Sequence, residues 1–320
     1  MMGTGAGELR PPGGMVAEIR ARAARNRRRV ALPETADPRT LEAVRGMVAG
    51  GIVSPVLVLD PDHPETHDAV RGLARSLDLS VIEPGAEGAL VTAMEVTRAG
   101  DADACVAGAA HTTAAVLRAA LKVLGKAPGV RLVSSAFYMI VARPGTGGAE
   151  DVFTFTDCAV VPEPAPSQLA DIAIAAARDR TRVVGDVPRV AFLSYSTLGS
   201  GGADAPPVAR VREALVLARE RAPEVLMDGE LQGDAAIVAA VAVRKGTSGA
   251  VAGHANVLVF PSLDAGNIAY KLVKRLGGAV AIGPILQGLA YPCADLSRGA
   301  GPDDIINAAA VTALLAAPPT

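Results

Sequence analysis

The chain has 320 residues, half of them apolar and a fifth charged, with 31 basic against 33 acidic side chains and a net charge of -2. This is a globular composition, long enough to bury a core without staples, and it excludes disordered, collagen-like and disulfide-built classes. The charge balance gives no electrostatic support for a nucleic-acid or anionic-membrane partner, and 3% aromatics with no Trp leave little surface for base stacking.

The opening MMGTGAGELRPPGG is rich in Gly and Pro and lacks an apolar h-region, so residues 1–14 read as a flexible tail rather than a signal peptide. The basic run at 18–29 reads as a solvated helix face, with a transit peptide or a nucleic-acid arm as the sharper alternative. RVALPE (29–34) is a buried strand, and Asp37-Pro38 opens a helix with an acid at the cap and Pro at the first position. Strands follow at 55–60, 79–84 and 104–110, the last leading into a helix through Leu117, Leu121 and Leu124. The segments 131–144 and 153–157 read as strands of a second unit, followed by a helix opening at Ser167. RVAFLSYS (189–196) is a strand ending in a Gly-rich loop. A helix at 208–222, a strand at 225–229, a helix over AAIVAAVAVRK (235–245) and a strand at 256–261 come next. A helix at 267–278, a strand at 279–284 and an apolar closing helix complete the chain.

This strand–helix alternation predicts an α/β protein. About two domains are expected from the length, with mostly parallel sheets covered on both faces. The stretches 143–151 and 291–304 are the expected crossing points. They delimit a first domain of 15–143 plus 291–320 and a second of 144–290. Ligands of such proteins sit at the carboxyl ends of parallel strands and between domains. No internal repeat of fixed period is present. No uninterrupted apolar stretch approaches a membrane span, and a cytoplasmic location is expected.

Three cysteines lie far apart with no CxxC and no Cys/His cluster, which argues against disulfides and a structural zinc. His63 and His67 share a polar loop and make a poor metal site. Cys158, after Asp157 at a strand end, is either a nucleophile or inert packing. AGAAHTTAAVLR (107–118) combines small residues that admit a ligand to backbone N–H groups, the hydroxyls of Thr112 and Thr113, and the fork of Arg118. SYSTLGSGG offers Ser196, Thr197 and Gly199 as a phosphate cradle. No Lys follows its glycines, which disfavours a P-loop. Asp228, Glu230 and Asp234 can hold a divalent ion or cap the next helix. DLSRGAGPDD joins a hydroxyl donor for an oxyanion (Ser297), a phosphate-binding guanidinium (Arg298) and a proton acceptor (Asp304). Asp303 and Asp304 equally suit the first turn of a helix after Pro302.

Taken in order, RVALPE-TADPRTLEA, DACVAGAAHTTAAVLRAAL, FTFTDCAVVPEPAPSQLADIAI, SYSTLGSG, DGELQGDAAI, NVLVFPSLDAGNIAYKLVKRLGG and GPILQGL…DLSRG…DDI resemble the phosphate acetyltransferase family over nearly the whole chain after the tail. The resemblance implies a two-domain α/β/α homodimer with an active-site cleft between the domains, transferring an acetyl group reversibly between coenzyme A and phosphate. It implies no metal as chemical catalyst and no tightly bound cofactor, with CoA and acetyl-CoA as substrates. An Asp would deprotonate the CoA thiol, a Ser would stabilise the transition state and arginines would hold the phosphate. By motif, the Ser-Arg pair falls on Ser297 and Arg298, the downstream acid on Asp304, and a further Arg on Arg118. Two departures stand out. The stretch between Pro84 and Asp103 is shorter than the family's and lacks its Arg, and Ala294 stands where an Asn commonly precedes DLSRG. The alternatives are a transferase for a longer acyl group such as butyryl, and a non-catalytic homologue binding CoA or acyl phosphate. A metal-dependent dehydrogenase of related shape lacks a clean GxGxxG here.

Overall fold

The computed structural model describes residues 14–142 and 149–316. In chain order it runs α1 (Gly14–Ala24), β1 (Arg29–Leu32), α2 (Pro38–Ala49), β2 (Ser54–Val58), α3 (His67–Leu77), β3 (Ser80–Ile82), α4 (Ala89–Ala99), β4 (Ala104–Ala107) and α5 (Thr113–Val123). The hairpin β5 (Ser134–Ala142) and β6 (Glu150–Thr156) follows, then α6 (Pro166–Val183), β7 (Arg189–Leu193), α7 (Pro206–Arg221) and β8 (Leu226–Leu231). The last elements are α8 (Gly233–Ile237), α9 (Ala239–Arg244), β9 (Val257–Val259), α10 (Leu263–Leu276), β10 (Val280–Gln287), β11 (Cys293–Asp295) and α11 (Pro302–Ala316). The tail expected over 1–14 lies almost wholly outside the described residues, as does most of the stretch 143–151.

Among the described residues one sheet has the order β3-β2-β1-β4-β11-β10-β5-β6-β9-β7-β8. Its two flanks are parallel blocks, β3-β2-β1-β4-β11 on one side and β6-β9-β7-β8 on the other. Between them β10 and β5 run antiparallel to their neighbours. The inner strands of the parallel blocks are short and covered on both faces: every residue of β4 and β9 is buried, whereas the edge strand β3 has no buried residue.

The helix starts follow their caps. Asp37 accepts from the Arg39 amide with Pro38 behind it, and Thr112 accepts from the Ala115 amide at the head of α5. Helix α11 is apolar nearly all round and is accordingly buried, packed against α1, α2, β4 and β10. It returns the C-terminal end of the chain to the first parallel block.

Three expectations change. The basic run is only partly solvated: Val16, Ile19 and Ala23 are buried, Arg20 bonds Asn307 and Asp303, and Arg22 bonds the carbonyls of Arg182 and Val183. The helix expected over 235–245 breaks at Val238, which is extended at φ -121° and ψ 107°. Its cause is tertiary, because the amides of Gly253 and Ala255 take the carbonyls of Ala235 and Ala236 that a continuous helix would use. Finally, residues 293–295 form a strand inside what reads as a loop; Cys293–Asp295 pairs with β4 and β10, and three residues are too few to show a period.

Candidate active site

Strands β1, β4 and β11 are neighbours in the first parallel block, so the segments leaving their carboxyl ends meet. Glu34 leaves β1 and is buried, at 4% exposure. Its carboxylate accepts hydrogen bonds from the successive amides of Gly108, Ala109, Ala110 and His111, all at 2.8–2.9 Å, and from His111 Nδ1 at 2.8 Å. Burial raises the carboxyl pKa, but the imidazole and backbone donors outweigh it and hold Glu34 below its ordinary value. His111 moves the other way: the Glu34 bond raises its pKa against burial, with the charges of Glu34, Asp60 and Asp62 adding to the effect.

A second anchor comes from the same turn. The Arg39 guanidinium is paired with Asp37 and donates to the carbonyls of Ala109, Arg298 and Ala300. It ties the loop after β4 to the loop after β11. Gly108 makes this approach possible: its φ is +103°, and a Cβ there would lie 2.4 Å from the Leu296 amide nitrogen and 2.5 Å from Asp295 Oδ1.

Two adjoining cavities open above these loops. One, of about 220 Å³, is lined by Tyr270, Lys271, Lys274, Ser297 and Asp304 among others. The other, of about 390 Å³, is lined by His111, Thr113, Asn267, Tyr270, Ser297 and Arg298 among others. Ser297, Tyr270 and Lys271 border both. The wall from α10 is held by stacking of Tyr270 on Phe137 of β5, with centroids 4.0 Å apart, and by Asn267 donating to the Cys158 carbonyl. Asp304 accepts from the Gly301 amide with one oxygen, the capping role expected for it. Its other oxygen lies 3.5 Å from Lys274 Nζ. Arg118 is exposed in a third cavity that shares His111 with the second and is also lined by Asp60, Asp62 and Lys122.

The structure therefore brings Ser297, Arg298, Asp304 and Thr113 together, with Arg118 on the far side of His111. Thr112 spends its hydroxyl oxygen on the α5 cap. Ser196, Thr197 and Gly199 stand apart, bordering neither cavity that holds Ser297. Ser196 Oγ and the Gly199 amide both donate to the buried carboxylate of Glu230, and Thr197 Oγ1 accepts from the Gln232 amide. The hydroxyl and amide expected to cradle a phosphate in that loop are thus turned to a side-chain carboxylate, that of Glu230. Asp228, Glu230 and Asp234 do not converge, since Asp228 faces Arg219 and Asp234 faces Lys245. Among the described residues no group of three His, Cys, Asp or Glu side chains is placed to hold a metal ion. Cys158 is buried, and burial pushes its thiol well above the ordinary range, which does not suit a nucleophile.

Asp295 was not singled out by the sequence motifs. It is fully buried two residues before Ser297, and neither of its oxygens makes a hydrogen bond of good geometry, the Thr113 hydroxyl being only nearby. Burial raises its pKa to about 6; the nearby Thr113 hydroxyl draws it partly back and the Glu34 charge raises it further. Glu34 and His111 were also missed as functional groups, because nothing in RVALPE or AGAAHTT shows that the two segments touch.

Comparison with known proteins places these features. A family model described as phosphate acetyl/butaryl transferase matches residues 74–313. The chain is 41% identical over 326 residues to the phosphate acetyltransferase of Treponema pallidum, covering 93% of this chain and 97% of that protein. It is 43% identical over 310 residues to the phosphate acetyltransferase of Paracoccus denitrificans, covering 90% and 94%. Its fold matches a solved phosphotransacetylase from Streptococcus pyogenes with a TM-score of 0.81 at 34% identity, covering 93% and 97%.

The Asp295 environment yields a pH prediction. Between the ordinary carboxyl value of 3.8 and about 6, the folded protein retains a proton that the unfolded chain has released. Wild-type stability should thus fall relative to Asp295→Asn as pH rises through this window. The expected difference is on the order of 3 kcal/mol, from about two pKa units. Urea midpoints of the two proteins at matched pH check this; parallel profiles would contradict it.

Proposed function

The chain belongs to the phosphate acetyl/butaryl transferase family, and on that premise we propose that it interconverts acetyl-CoA plus phosphate with CoA plus acetyl phosphate at the Ser297 cleft. The observation that carries this reading is the convergence of Ser297, Arg298 and Asp304 on adjoining cavities of about 220 and 390 Å³.

In the thioester-forming direction Asp304 takes the proton of the CoA thiol. A thiol resembling that of cysteine has a pKa of about 8.5, so one carboxylate acceptor is adequate help. The thiolate then attacks the acyl carbon of acetyl phosphate. Ser297, exposed at the junction of the cavities, donates to the oxyanion that develops. Arg298 holds the phosphoryl group, and Lys271 and Lys274 keep the cleft positive for anionic substrates. Thr113, at the head of α5, adds a hydroxyl donor, and Arg118 guards the outer approach. No covalent enzyme intermediate is needed, and neither a metal nor a tightly bound cofactor enters a step.

His111, Thr113, Ser297 and Arg298 of 15–143 with 291–320 face Ala159, Asn267, Tyr270 and Lys271 of 144–290 around one cavity, which supports a division into two domains. We assign these stretches to the two domains. Acetate metabolism in the cytoplasm is the setting that fits, and the buried free thiols of Cys105, Cys158 and Cys293 suit a reducing compartment. The assembly is a homodimer. In support, Ile268, Leu272 and Leu276 form an exposed apolar stripe along α10, with Leu276 83% exposed. Sedimentation at twice the mass of the chain checks this, and a monomer would refute it.

The reaction is tested by mixing the purified protein with CoA and acetyl phosphate and following the thioester, with butyryl phosphate alongside. Acetyl-CoA should form at a rate indifferent to chelator. Asp304→Asn should lower kcat by roughly 10²-fold or more while costing only about 1 kcal/mol of stability as a lost cap. An active Asp304→Asn protein would remove Asp304 as the base. Turnover with butyryl phosphate alone would move the assignment to longer acyl groups.

A further inference from the structure

Ser297 stands at the junction of the two cavities, with Asp304 bordering one and His111 the other. The carboxylate assigned to the thiol and the imidazole thus border different cavities that meet at Ser297, and the imidazole shares its cavity with Arg298. His111 is held through Nδ1 by Glu34, and Nε2 makes no hydrogen bond with any described residue. The imidazole is one-third exposed and borders both the Arg298 cavity and the Arg118 cavity.

Resting on the transfer reaction proposed above, we infer that His111 is the general acid for the departing phosphate, delivering a proton from Nε2 to the oxygen that leaves the acyl carbon. The need is chemical. Acetyl phosphate at neutral pH is a dianion, and breaking its acyl C–O bond unaided would release the strongly basic phosphate trianion. In the assigned step the thiol proton goes to Asp304, and the sulfur lone pair forms the C–S bond. The electron pair of the acyl C–O bond stays on the phosphate oxygen, which takes the His111 proton and leaves as hydrogen phosphate. Asp304 ends protonated and His111 neutral, and solvent restores both. In reverse, neutral His111 deprotonates the attacking phosphate.

Glu34 serves this role in two ways. Accepting from Nδ1–H fixes the ring so that Nε2 is the nitrogen presented to the cleft. Its negative charge stabilises the imidazolium. The Glu34 hydrogen bond raises the His111 pKa against the effect of burial, and the charges of Glu34, Asp60 and Asp62 raise it further. Opposing them are the cations that border the same cavities: Arg118 and Lys122 on the α5 side, Arg298 and Lys271 on the other. Asp295 adds a second buried carboxyl behind the loop.

His111→Gln tests the inference, because Gln keeps an N–H donor for Glu34 and removes the titrating group. With acetyl phosphate and CoA, kcat should fall roughly 10²-fold or more, with the KM for CoA within about threefold of wild type. The wild-type kcat should decline toward alkaline pH as His111 loses its proton, and this limb should vanish in the variant. An active wild type with His111→Gln retaining kcat within about threefold overturns the acid role and leaves the transfer reaction standing. A wild type that makes no thioester overturns both. If the variant does not fold, the wild-type profile decides alone: a kcat with no alkaline decline contradicts the inference.

Discussion

The buried carboxylate of Glu34 is the interaction on which the site rests. Four consecutive amides, from Gly108 to His111, point at one ionised group, and the His111 ring closes the set. A charge taken out of water in this way is costly unless it is well hydrogen-bonded, and here five donors serve it, four on one carboxylate oxygen and the Ala109 amide on the other. The loop after β4 consequently cannot be rearranged without stranding both the carboxylate and its amides. Arg39 extends the constraint to the loop after β11 through the carbonyls of Arg298 and Ala300. One turn, leaving β1, thereby sets the positions of His111, Ser297 and Arg298.

An analogous device sits elsewhere in the molecule. Glu230 holds the loop 196–199 as Glu34 holds 108–111, with Ser196 Oγ and the Gly199 amide as donors. Two Gly-rich loops after parallel strands therefore look alike in sequence but differ in use. The loop after β4 presents His111 and Thr113 to open cavities, whereas the loop after β7 turns its donors inward. Small residues and hydroxyls after a strand signal that a backbone anion cradle can form, not which anion fills it.

Most of the fold is legible from local pattern, because buried parallel strands read as apolar runs and the helix starts carry their caps, as at Asp37-Pro38. The places where local reading fails are those where distant backbone intervenes. Val238 interrupts a good helical sequence because the segment at 253–255 takes its carbonyl partners. Strand β11 exists only because β4 and β10 flank it. In the site, Ser297, Arg298 and Asp304 are recognisable within one short motif, so their proximity needs no tertiary knowledge. Glu34 and His111 lie 77 residues apart, and Asp295 looks like an ordinary strand residue until its burial without a hydrogen bond of good geometry is seen. Chemistry that depends on long-range juxtaposition or on burial leaves little trace in the residues taken singly.

The central claim is that acyl transfer occurs directly between two bound substrates at Ser297, with a proton acceptor bordering one of the cavities that meet there and a phosphate site bordering the other. The buried, protonated Cys158 and the hydroxyl rather than thiolate at position 297 both fit this account. The most direct test is isotope exchange without CoA: labelled inorganic phosphate is incubated with protein and unlabelled acetyl phosphate. Direct transfer predicts no label entering acetyl phosphate until CoA is added. Exchange in the absence of CoA would demonstrate an acyl-enzyme and contradict the account.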